Sequence, residues 1–118
     1  MSSEPAEKQP VAGRPPGKAP LQLRVGHLLR ISGYLDYAIL SMWTGRRAQV
    51  VMGMAEASVR GEGPGGTKGP DEELLARLRA LVEEAREYHA VEDFPAAIAR
   101  MRVAEDLVAL RIIRLAGE

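Results

Sequence analysis

The chain has 118 residues, 16 basic against 16 acidic side chains and no cysteine. That length suits a single domain, the zero net charge gives no global electrostatic case for nucleic acid or anionic lipid, and the absent thiol excludes disulfides, thiolate metal sites and cysteine nucleophiles. A cysteine-free chain fits the cytoplasm, which is the location expected here.

Residues 1–20 hold five prolines and no apolar run. They read as a disordered arm without a secretory signal. Residues 21–60 read as a long or broken helix. Leu21, Val25, Leu28, Ser32, Leu35, Ile39 and Met42 recur at steps of three and four, one stripe of a 3.6-residue period, and Ala38 widens it. Pro20 suits the start of this helix. Thr44-Gly45 is its weak point, and the spacing predicts a break there. Val50, Val51, Met54, Ala55 and Val59 resume the apolar face. Its most apolar stretch, Tyr34 to Trp43, is half the length of a membrane span and contains Asp36. A buried helix is expected, and no membrane partner.

Residues 61–70, GEGPGGTKGP, contain five glycines and two prolines and read as a flexible loop. The order of residues does not match a phosphate loop, because the lysine follows the threonine and no strand precedes it. Residues 71–118 read as a helical hairpin, with 21–118 forming one domain. Its first helix opens on Pro70-Asp71-Glu72-Glu73, where three acids meet the positive helix end. Leu74, Leu78, Leu81, Val82, Ala85 and Tyr88 form its buried stripe. Asp93 is the expected N-cap of the second helix, whose apolar face is Ala97, Ile98, Met101, Ala104, Leu107, Val108, Ile112 and Leu115. The short link between the two forces them antiparallel. The predicted fold is therefore all-α: a three- to four-helix antiparallel bundle with a C-terminal helical hairpin and a disordered N-terminal arm.

Charge is uneven along the chain. Residues 21–60 carry five Arg against two acids, and residues 71–118 carry seven Arg against eleven acids. The basic segment and the acidic hairpin are expected to pack on each other, within one chain or between two.

Few residues invite chemistry. His27 and His89 lack the Glu-x-x-His spacing of a carboxylate metal bundle, since Arg24 and Arg86 stand three residues before them. No catalytic residue, cofactor or metal ligand is assigned, and the protein is read as a non-enzyme. Glu105 sits between Met101 and Val108 on the apolar side, and a buried carboxylate needs a partner. A structural ion pair with Arg102, or with an arginine of the first segment, is expected. Trp43 beside Arg46 and Arg47 is the candidate interaction cluster, since Trp and Arg dominate binding hot spots. The same trio is able to stack and neutralise RNA. The plain alternative is a core Trp with solvated arginines.

The run from Asp93-Phe94-Pro95-Ala96-Ala97-Ile98 to Ala104-Glu105-Asp106-Leu107, with the preceding helix from Leu74 to Tyr88, resembles a HEPN-like or tetratricopeptide-like helical hairpin. The likeness covers residues 74–107. It implies a helical hairpin and a binding role, on protein or on RNA, in a CRISPR or toxin–antitoxin setting. It does not imply a nuclease, because active HEPN ribonucleases place an arginine, then four to six residues, before their histidine, and no arginine stands at that spacing before His27 or His89. The expected function is a non-enzymatic helical interaction or assembly subunit, a homodimer or the partner of another protein. The alternatives are an RNA-associated accessory protein and a bundle that holds a metal or small ligand among Met42, Met52, Met54, Met101 and Trp43.

Overall fold

The start of the first helix follows directly from Pro20, whose fixed backbone leads into Leu21 and whose carbonyl accepts the Arg24 N–H at 3.1 Å. In the computed structural model, which describes residues 19–117, four helices account for most of the chain: α1 (Leu21–Thr44), α2 (Ala48–Arg60), α3 (Glu72–Ala90) and α4 (Phe94–Ala116). Each packs on its neighbour in sequence, and α4 returns to pack on α1, which closes an all-α antiparallel bundle. No helix among the described residues is long and apolar enough to cross a membrane. The expected arm lies almost wholly outside the described residues.

The predicted break near Gly45 separates α1 from α2. Gly45 takes the left-handed conformation at φ 73°, and its N–H donates to the Ser41 carbonyl at 2.8 Å. A side chain there would carry the left-handed penalty that glycine escapes. The chain then turns through Arg47 and restarts.

The cores of α1 and α2 are rotated slightly from the predicted stripes. Leu28, Ile31, Leu35, Ala38, Ile39 and Met42 are buried on α1, whereas Leu21 is exposed and Ser32 only half-buried. On α2, Met52 is buried while Val50 and Met54 face outward. One helix face must serve two neighbours, α2 and α4, so the stripe widens towards Ile31. The hairpin stripes match more closely: Leu74, Leu75, Leu78, Val82 and Ala85 of α3 meet Ala97, Ile98, Met101, Ala104, Val108 and Leu115 of α4 in one continuous cluster.

Residues 61–70 fold as a succession of turns around a short 3-10 segment (Gly66–Lys68). Gly69 explains why glycine is needed: a Cβ there would lie 2.4 Å from the Pro64 carbonyl oxygen. Arg79 of α3 secures the exit of α2. It donates to the carbonyls of Val59 at 2.6 Å and Gly61 at 3.1 Å, and pairs with Glu72 at 2.8 Å. Carbonyls orphaned at the end of α2 thus find a donor one helix away.

At the start of α4, the Asp93 carboxylate accepts the Ala96 N–H at 3.3 Å, and Pro95 occupies the first turn. The cap is exposed and of ordinary kind. Asp93→Ala should cost about 1 kcal/mol, seen as a small fall in the urea midpoint with an unchanged slope.

Candidate interaction site at the loop end of the bundle

The α1–α2 break and the α3–α4 turn fall at the same end of the bundle. Side chains from both connections therefore meet. Met42 and Trp43 at the end of α1, with Phe94, Pro95, Ile98, Ala99 and Arg102 of α4, line a mainly apolar cleft of about 480 Å³. A neighbouring hollow shares Met42 and Phe94 and adds Gly45, Arg47, Val50 and His89. His89 and Phe94 touch, with ring centroids 5.3 Å apart.

Trp43 is 66% exposed and is not a core residue. Its position two residues before the helix break explains this, because α2 turns away before it can cover the indole. Arg46 and Arg47 are also exposed, and Arg47 lines the second hollow. The structure thus brings Trp43 and Arg47 to one end of the molecule and adds Phe94, His89 and Arg102 from the far side of the sequence. Among the described ion pairs none includes Arg46, Arg47 or Arg102.

Backbone strain marks the same end. The described non-glycine residues with positive φ are Arg47 at 54° and Glu92 at 64°, one in each connection. Side-chain-bearing residues rarely adopt this region, and such strain gathers at binding and switching sites.

The expected Glu105–Arg102 ion pair is replaced by a different contact. Glu105 is half-buried, Arg102 is exposed, and the group that meets the Glu105 carboxyl is Asp36 of α1. Burial and then the hydrogen bond and charge of Asp36 raise Glu105 above the usual carboxylate range, while Arg102 opposes this with less effect. Arg102 is one turn away on α4 and its charge acts on Glu105, but no described ion pair joins the two.

The buried ion pair lies elsewhere. Asp71, 1% exposed, accepts from Arg24 of α1 at 3.0 and 2.8 Å and from Arg111 of α4 at 2.7 Å. Burial pushes its pKa up, but the two guanidiniums outweigh burial and hold it below the ordinary value. Asp71 therefore does not simply greet the α3 dipole, as its place in the sequence implied. It clamps three helices together at the end opposite the cleft, and the clamp is structural: basic segment and acidic hairpin do meet here.

His27 lies beside this clamp, against the loop at Gly63, and its buried Nδ1 has no hydrogen-bond partner among the described residues. Burial, then the charge of Arg30, lowers its pKa, and Asp71 raises it by less. Below the ordinary value of 6.5 the unfolded chain takes up this proton before the native one does, so stability is intact above that pH and declines as pH falls towards the lowered native value. Thermal unfolding followed from about pH 8 to about pH 5 should show this loss, and His27→Gln should flatten it.

Among the described residues no group of three or more His, Asp or Glu side chains is placed to hold a metal ion. Met42 lines the cleft, whereas Met52 and Met101 are core residues. Among the described residues, Arg102 is the charged side chain that lines the cleft. Compared with protein-family models, curated proteins and solved structures, the chain matches none.

Proposed function

We propose that this protein is a non-enzymatic helical interaction subunit, and that the cleft between Trp43 and Phe94 receives an apolar anchor from a protein partner. One observation carries the reading: an exposed Trp stands over a mainly apolar cleft whose wall includes an exposed arginine, Arg102. Leaving an indole in water forgoes about 2 kcal/mol of burial, a cost that a partner recovers by covering it. Aromatic side chains and Arg around such a hollow are the usual composition of a hot spot. Arg46 and Arg47 at the same end favour an anchor flanked by acidic residues, which would be steered to the site.

Trp43 is the sole tryptophan of the chain, so it is both the anchor and its reporter. A tagged full-length chain should capture a protein from its host's lysate that survives ribonuclease. Trp43→Ala, a surface change with little effect on stability, should release it. Titration of the purified partner should shift the Trp43 emission to shorter wavelength. Loss of every bound species on ribonuclease treatment would instead support an RNA-associated role through Arg46 and Arg47, and salt dependence of that binding would confirm it. Capture unaffected by Trp43→Ala would refute the cleft as the docking site.

A further inference from the structure

Arginine is unevenly placed on the helical hairpin. Residues 71–118 carry seven Arg against eleven acids, yet three of those arginines, Arg77, Arg111 and Arg114, meet around one hollow of about 330 Å³ between α3 and α4. Glu73 is the acid that lines it. Three guanidiniums against one carboxylate make the hollow cationic within a segment that is acidic as a whole. The helical period explains the gathering. Glu73 and Arg77 stand one turn apart on α3, and Leu107, Leu110, Arg111 and Arg114 share a face of α4, at offsets of three, four and seven. The antiparallel hairpin brings the start of α3 against the end of α4, so the two faces meet.

These arginines are not used up within the chain. Arg79, Arg86 and Arg100 of the hairpin pair with Glu72, Glu56 and Glu84. Among the described ion pairs none includes Arg77, Arg114 or Glu73, although Glu73 stands four residues before Arg77 on one helix. Arg111 is held in place, because its Nη1 donates to the buried Asp71 carboxylate at 2.7 Å. Among the described hydrogen bonds Arg111 commits no other N–H, and a guanidinium has several. Asp71 thus fixes a cation in the wall of the hollow without exhausting it. Little ordering of Arg111 remains to be done when an anion arrives.

We propose that this α3–α4 hollow binds a small amphipathic anion, with one carboxylate or phosphate head on a short aliphatic body. The guanidiniums select the head, since their planar forks match carboxylate and phosphate oxygens. Leu74, Leu107 and Leu110 supply the apolar wall for the body. Volume sets the size: about 330 Å³ lies near the lower limit of small-molecule pockets, about 300–1,000 Å³. Glu73 tells against a polyanion, because each further negative charge on the ligand meets a carboxylate already there. The site goes beyond the interaction reading. It shares no residue with the Trp43 cleft and stands or falls without it.

Hexanoate and butyl phosphate are the probes, added at millimolar concentration to the isotope-labelled full chain and followed by its amide NMR resonances. Saturable shifts should appear at residues 73–77 and 107–114, and the tighter of the two probes identifies the head group. Acetate, which lacks the body, and hexanol, which lacks the charge, should bind more weakly. Arg77→Gln combined with Arg114→Gln should weaken binding by about tenfold or more, the loss expected for charged hydrogen bonds. Both positions are exposed, and the same spectrum reports that the fold is intact. Arg111 is left in place because it also holds Asp71. Arg102→Gln, in the cleft, should change nothing. No saturable shift with either probe overturns the proposal. So does binding that survives the double substitution, and so do shifts centred on Trp43 and Phe94, which place the anion in the cleft. Acetate binding as tightly as hexanoate overturns it too, because the leucines then select nothing.

Discussion

Asp71→Asn should lower the thermal midpoint by more than about 10 °C. The carboxylate is almost fully buried, and Arg24 and Arg111 close on it from two helices. Asparagine keeps the shape but removes the charge, which leaves two partly buried guanidiniums facing each other. Breaking a buried ion pair from one side costs about 3–5 kcal/mol. The lower end applies because the arginines remain 16% and 23% exposed. At about 4–8 °C per kcal/mol for a domain near this size, a loss of about 3 kcal/mol gives the stated shift. Calorimetry measures it. The pH dependence supplies an independent check. Asp71 titrates below its ordinary 3.8 in the native state, so the unfolded chain binds that proton first as the solution is acidified. The stabilisation is complete above that pH and is lost as pH falls through the lowered native value. Asp71→Asn should remove this acid-sensitive component. Replacing Arg24, Asp71 and Arg111 together by Met, Leu and Met should recover most of the lost stability, because apolar side chains of similar size carry no stranded charge. Recovery would establish that the clamp selects the arrangement of α1, α3 and α4 more than it stabilises it.

A loss of similar size should follow from Leu78→Ala. Leu78 is fully buried at the middle of α3, the helix that contacts both α2 and α4. Truncation removes three carbons, a methine and two methyls, and leaves a cavity that helices on both sides cannot fill without shifting. Large-to-small changes of this kind cost about 2–5 kcal/mol. A urea melt should show a midpoint lowered in proportion, with the slope preserved if the native state stays compact. The comparison within the same helix bundle is Leu110→Ala. It deletes the same atoms from a side chain that is 60% exposed, so it should cost less than about 0.5 kcal/mol.

The difference between those two leucines shows where sequence reasoning stops. On α4 the apolar residues Ala97, Met101, Ala104, Val108 and Leu115 recur at helical spacing and are buried. Val103, Leu110 and Ile113 are as hydrophobic, and only their outward direction sets them apart. On α1 the predicted stripe included Leu21 and Ser32 and omitted Ile31, because a period fixes relative angles but not which angle faces the core. Trp43 was legible as a candidate because of its neighbours Arg46 and Arg47. Its cleft was not, since Phe94 and Arg102 lie some fifty residues further along. Glu105 was legible as a carboxylate on an apolar side that calls for Arg102 or an arginine of the first segment; the opposing effect of burial and of Asp36 on α1, which outweighs Arg102, depends on helix packing.

Local chemistry determined the helices. Pro20, Gly45, the glycine-rich stretch 61–70 and Asp93 start, stop and connect them through backbone preferences that act within a few residues. The 3.6-residue recurrence of Leu, Ile, Val, Met and Ala determined the all-α class and the antiparallel hairpin for the same reason. Only the tertiary structure decided what lies across the gaps between helices: the Arg24–Asp71–Arg111 clamp, the Asp36–Glu105 approach and the Trp43–Phe94 cleft. Each joins residues forty or more positions apart, and such pairs are set by how the bundle closes, a global balance of burial and charge to which no short stretch of sequence is sensitive.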